Sequence, residues 1–191
     1  MITELIKSTV AIFVVMDALG NVPIFSTLNK GFSKEQKTEN INRAVLIATI
    51  VLLVFLLIGN QLLVFFGIRL SSFKIAGGIL LLIIGLEIAL GLKFGKYRAE
   101  KKELAIVPMG TPLITGPGVI TTVLILVSTY GYLITLIASA VNLLVTFILL
   151  RFSEGFLRIF GKQGADVISR IMGLIILAIA VEFVRQGWAA L

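Results

Sequence analysis

Two short segments hold the residues best suited to bind a small solute. Asp17-Ala18-Leu19-Gly20-Asn21-Val22-Pro23 and Gly110-Thr111-Pro112-Leu113-Ile114-Thr115-Gly116-Pro117-Gly118 each place glycine, a small polar residue and proline inside an apolar run. Proline removes a backbone donor and clashes with the preceding turn, and glycine makes an unwound conformation accessible, so each segment is expected to break a helix. A second half-helix starting near Pro23 or Pro117 would present unpaired N–H groups and the positive end of its dipole, with Asn21 or Thr115 alongside. The first half-helix would end in free carbonyls. Donors on one side and carbonyls on the other suit a carboxylate and an ammonium, the pattern of a zwitterionic amino acid. Glycines at positions 20, 110, 116 and 118 leave backbone at the wall, which favours a small solute. The candidate binding set is therefore Asp17, Gly20, Asn21, Pro23, Thr111, Thr115, Gly116, Pro117 and Gly118. Asp17 is also the candidate for ion coupling: it could bind a proton, contact the substrate ammonium, or cap released N–H groups.

Other chemistries lack their residues. The chain has neither cysteine nor histidine, which removes disulfides, thiolate and imidazole metal sites, and histidine-based acid–base catalysis. No acidic pair stands at ligand spacing inside a span, so no enzyme, metal or cofactor is expected. Glu87 and Glu182 fall far into two spans, and Glu182 has Arg185 at i+3, which reads as a structural ion pair. Asn60, Gln61 and Asn142 read as interhelical hydrogen-bonding residues, and Gly77, Gly78, Gly85, Gly173, Ala178 and Ala180 as small faces for close helix packing.

The elements that must carry these residues are membrane helices. Hydrophobic residues make up 58% of the 191, charged residues 14%, and the mean hydropathy is +1.08; a soluble domain is about 45–50% apolar and about 25% charged. A window of about twenty residues predicts six spans: Leu5–Leu28, Arg43–Phe66, Ser71–Leu92, Leu104–Ser128, Tyr132–Leu150 and Val167–Ala190. The first is too long for a signal-peptide core and lacks a clear small-residue cleavage site, so it is expected to stay in the mature chain. Of the 17 basic residues, all but Lys7, Arg69, Lys74 and Arg185 fall near the 1–2, 3–4 and 5–6 connections. Short basic loops stay in the cytoplasm, which predicts a cell-membrane protein with both termini extracytoplasmic. The net charge of +7 then belongs to membrane-flanking loops and anionic lipid, and no aromatic-plus-basic pattern points to nucleic acid.

The two halves repeat each other. A shift of 94 residues lays Pro23 on Pro117 and Phe66-Gly67 on Phe160-Gly161; a shift of 96 lays Lys74-Ile75-Ala76-Gly77-Gly78-Ile79 on Arg170-Ile171-Met172-Gly173-Leu174-Ile175. All four prolines, Pro23, Pro108, Pro112 and Pro117, fall in the equivalent spans 1 and 4. Each repeat has three spans, an odd number, so the second must enter the membrane inverted. The fold class is an all-α membrane protein with a 3+3 inverted-topology repeat and discontinuous helices 1 and 4. Residues 1–93 form the first three-helix repeat, 94–103 a basic cytoplasmic linker and 104–191 the second repeat. Such repeats recur among secondary transporters, with the site where the halves meet.

Met16-Asp17-Ala18-Leu19-Gly20-Asn21-Val22-Pro23-Ile24-Phe25 and Pro112-Leu113-Ile114-Thr115-Gly116-Pro117-Gly118, with the Lys74-Ile75-Ala76-Gly77-Gly78 and Arg170-Ile171-Met172-Gly173 starts of spans 3 and 6, resemble the MarC family of six-span membrane proteins. The resemblance covers the whole chain. The archaeal members known as SnatA look like proton-linked transporters of small neutral amino acids, so the resemblance implies glycine or alanine as substrate, where the residues alone imply a small zwitterion. A multidrug or other small-solute exporter, or a channel using the same half-helix breaks, are the alternatives. The number of subunits, including a homo-oligomer, is left open by the sequence.

Overall fold

The computed structural model describes residues 1–29, 31–91 and 114–191. Among the described residues the regular elements are α-helices: α1 (Ile2–Met16), α2 (Ala18–Leu28), α3 (Lys34–Phe65), α4 (Leu70–Leu90), α5 (Pro117–Tyr130), α6 (Tyr132–Arg151) and α7 (Ser153–Trp188). Among the described residues five apolar stretches are long enough to cross a bilayer, Ile2–Ser26, Lys34–Phe65, Leu70–Leu90, Tyr132–Arg151 and Gln163–Trp188, and Pro117–Tyr130 is a shorter apolar helix. Six spans are expected from the sequence. The difference lies in the fourth, whose first part, 104–113, falls outside the described residues together with the 94–103 linker. At about 1.5 Å per residue the 14 residues of α5 reach about 21 Å, short of the ~30 Å of a hydrocarbon core.

Local sequence explains the helix ends. Ser33 Oγ accepts from the Gln36 N–H (3.3 Å) and Gln36 Oε1 accepts from the Ser33 N–H (2.9 Å), a capping box that starts α3 at Lys34, well ahead of the expected Arg43. At its other end the Ile68 N–H donates to the Leu63 carbonyl (2.8 Å) around Gly67, whose φ of 65° closes the helix in a Schellman turn. The last helix also starts earlier than the expected Val167: α7 runs from Ser153 and is interrupted at Gly161 (φ 66°, ψ 177°), so that only the part after the kink is of bilayer-crossing character.

Polarity is arranged for a lipid surround. Leu46, Ile50, Val54 and Leu57 recur along one side of α3 and are exposed, whereas Thr135, Ser139, Asn142 and Thr146 recur along one side of α6 and are buried. An apolar outside around a hydrogen-bonding inside is stable only when hydrocarbon replaces water. Across that inside, Asn142 Nδ2 donates to the Thr9 carbonyl of α1 (3.0 Å) and to Ala138 of its own helix (2.8 Å), and Thr146 Oγ1 donates to Met16 Sδ (3.0 Å). Asn142 thus bridges helices. Asn60 and Gln61 do not share that role, since both are exposed on α3.

Helices α4 and α7 form the tightest seam. They run antiparallel, and a Cβ on Gly78 would come within 2.8 Å of the Ala180 carbonyl, one on Gly173 within 2.6 Å of the Ala89 nitrogen, and one on Gly187 within 2.7 Å of the Ser71 carbonyl. With methyl groups at these positions the backbones could not touch, and in a bilayer such contact is what holds helices together. Gly85 meets Leu177 in the same seam, but Gly77 turns away from it to face Thr121 of α5. Along α4 and α7, Lys74 Nζ donates to Gln186 (3.2 Å), and Glu182 accepts from Arg185 (2.7 and 2.8 Å) and from Gln186 (2.8 Å). Helix α5 sits in the middle, buried almost without interruption from Gly118 to Val127, and packs on α1, α3, α4 and α6.

Candidate functional site

The first break falls at Asp17. Its backbone is left-handed (φ 42°, ψ 49°) and its N–H is shared between the Phe13 and Val14 carbonyls at 3.2 Å each, which ends α1. The chain turns immediately into α2, and the Asp17 carboxylate accepts from the Gly20 N–H (3.2 Å), capping the new helix. Asn21 Nδ2 reaches back to the Met16 carbonyl at the end of α1 (3.0 Å). Aspartate is among the few residues that tolerate the left-handed region, because its short side chain can bond locally. Asp17 and Asn21 thus each satisfy a backbone group that the break releases.

This moves the break from its expected place. A second half-helix is expected to start near Pro23, but Pro23 lies inside α2. The cause is Asp17, which ends the first helix and caps the second before the proline is reached. Pro23 is near enough to the start of α2 that the donor it lacks costs one bond toward the Leu19 carbonyl rather than a helix.

The helix of the other segment starts at its proline. Gly116 is the N-cap of α5 (φ −64°, ψ 171°) without a side-chain cap bond, and Pro117 occupies the first turn, where a missing N–H costs nothing. Thr115 lies in the bend before it, fully buried beside the equally buried Ile114. Thr111, like Pro108, Gly110 and Pro112, lies outside the described residues.

The two segments meet. A Cβ on Gly118 would stand 3.3 Å from Val15 in the last turn of α1, 3.0 Å from Leu81 and 3.2 Å from Ile84. The N-terminus of α5 therefore abuts the end of α1, with Asp17 two residues beyond the contact. Asp17, Gly20 and Asn21 form one cluster, Thr115 to Gly118 the other, and the Val15–Gly118 contact joins them. Among the described residues no three His, Cys, Asp or Glu side chains gather where they could hold a metal ion.

One neighbour escapes sequence reasoning. Ser169 of α7 places its Oγ 2.0 Å from where a Gly20 Cβ would stand, and Asp17 Oδ2 lies 2.2 Å from the same point. Gly20 is thus required because its missing methyl makes room for a carboxylate and a hydroxyl. A single serine next to Arg170 carries no spacing signal that could have found it.

A family model described as the MarC family integral membrane protein matches residues 2–191. A UPF0056 membrane protein of Archaeoglobus fulgidus is 36% identical over 193 residues, covering 95% of this chain and 91% of that one. A second UPF0056 membrane protein, from Methanocaldococcus jannaschii, is 35% identical over 188 residues, with 93% and 92% covered. The UPF0056 inner membrane protein YhgN of Escherichia coli is 34% identical over 192 residues, with 96% and 95% covered. No solved structure matches the chain. With the whole chain matched by the family model, membrane-length apolar helices and a polar interior, this protein belongs to the MarC family of integral membrane proteins.

Proposed function

We propose that the chain is a secondary active transporter of small neutral amino acids of the glycine and alanine class, proton-coupled and working by alternating access. The observation that carries this reading is the meeting of the two segments, with the α5 N-terminus set against the end of α1 at Val15 and Gly118. The α5 N-terminus has no side-chain cap, so its first N–H groups and dipole favour a substrate carboxylate. Asp17 faces the ammonium and carries the coupling proton, while Gly20, Gly116 and Gly118 keep the space small. Asn21 contributes by holding the Met16 carbonyl in place.

A 3+3 inverted repeat belongs to the same proposal. Three features favour it. Gly67 and Gly161 fall in register under the 94-residue shift and share a φ of 65° and 66°. Helix α4 and the equivalent stretch of α7 pack antiparallel through their glycines, as inverted copies must. The third is the short reach of α5, which needs a preceding half-helix to complete a span. In this reading the basic connections face the cytoplasm and both termini face outward.

Uptake of labelled glycine into proteoliposomes under an imposed proton gradient, competed by alanine, serine and leucine, tests the assignment. Saturable glycine accumulation displaced by alanine is the expected result. If no neutral amino acid moves or competes, the substrate assignment fails, and ion flux at rates beyond a carrier's turnover would make the protein a channel.

A further inference from the structure

A cavity of about 360 Å³ opens between the end of α2, the start of α3 and the α6–α7 corner. Lys34, Lys37 and Arg151 line it against one carboxylate, Glu154. Its floor is apolar, with Phe25, Ile41 and Leu150 buried beneath the charged rim. Lys37 Nζ lies 2.6 Å from Glu154 Oε1, and Arg151 Nη1 donates to Thr38 Oγ1 at 2.5 Å.

We propose that this cavity is a carboxylate-binding vestibule on the route to the helix break, in which Glu154 holds the place of a solute's carboxylate on Lys37. The inference rests on the transport reading and extends it to a second position along the path. Three cations against one acid leave the rim with an unmatched positive charge that an anion would neutralise. The resident acid is easily displaced: the Glu154 side chain is 70% exposed and that of Lys37 31%, and a solvent-screened ion pair contributes little net stability. The volume lies at the small end of ligand pockets, which start at about 300 Å³, so it suits a compact carboxylate rather than a bulky one. The floor also points the right way. Phe25 stands on α2 about 12 Å beyond Asp17 at ~1.5 Å per residue, so a solute leaving the break along α2 arrives here.

Acetate is the probe, because it carries the carboxylate and need not be transported. The unfolding midpoint of the purified full chain in detergent is measured against rising sodium acetate, with sodium chloride at matched ionic strength as reference. A saturable rise with acetate over chloride is expected. Glu154→Gln, which removes the internal competitor, should lower the half-saturating acetate concentration about 2- to 5-fold, the range set by the strength of an exposed pair. Lys37→Gln combined with Arg151→Gln should abolish the acetate-specific rise, and Lys37→Arg, which keeps the charge, should retain it. The vestibule is overturned if acetate and chloride act alike on the unsubstituted chain, if Glu154→Gln does not tighten acetate, or if phosphate binds in preference to acetate. Loss of glycine uptake with acetate binding intact would count against the transport reading and not against this cavity.

Discussion

Asp17 meets three demands at once: it adopts a left-handed backbone, caps Gly20 and shares a tight space with Ser169. Its cap and the proposed coupling role separate by substitution. Asn tolerates the left-handed region and keeps the side-chain oxygen that accepts from Gly20, so Asp17→Asn should retain glycine exchange in proteoliposomes but lose gradient-driven accumulation; accumulation at the unsubstituted level would clear Asp17 of coupling. Asp17→Ala also removes the cap and should lower the unfolding midpoint by an amount corresponding to ~1 kcal/mol or more. Gly20→Ala places a methyl group on the Ser169 hydroxyl and the Asp17 carboxylate, both closer than 2.5 Å, and should cost about 1–3 kcal/mol in the same thermal measurement. A capping role for Asp17 was one of the readings open from its position directly before the expected break. Ser169 was not, because what makes it matter is a contact between α2 and α7 that no local spacing encodes.

The helices show where sequence reading holds and where competing residues displace it. Long apolar runs located α3, α4 and α6, and Gly116-Pro117 marked the start of α5, because proline is at home in a first turn. The same rule misplaced the α1–α2 break, because a capping aspartate outranks a proline six positions later. Opposite effects for the two prolines follow. Pro23→Ala restores a donor inside α2 and should leave the break at Asp17 while raising the unfolding midpoint, by up to ~3 kcal/mol. Pro117→Ala, at the first turn of α5, where the missing N–H has no intrahelical partner to lose, should change it by less than ~1 kcal/mol. A lower midpoint for Pro23→Ala would show that the ring itself supports the break.

For the molecule as a whole, the bridge between Lys37 of α3 and Glu154 at the start of α7 ties helices far apart in the chain. The hydrogen bond and charge of Lys37, aided by Lys34, hold the Glu154 carboxyl below the usual carboxylate value. A depressed acid contributes stability that is fully present above its ordinary range and is lost as pH falls through the lowered value. Acidification below the ordinary carboxylate range should therefore loosen this corner, seen as faster amide exchange at the start of α3. Glu154→Gln should show that faster exchange already at neutral pH and respond less to acid.

The α4–α7 seam has a mechanical consequence. Backbone approaches backbone at Gly78, Gly173 and Gly187, with only Val184, Ile75 and Leu177 side chains between, which leaves little cushion to absorb a tilt, so sliding lengthwise as in a dovetail joint disturbs the pair less than hinging apart. In the proposed alternating access this pair then serves as the axle and leaves the swing to α1, α2 and α5.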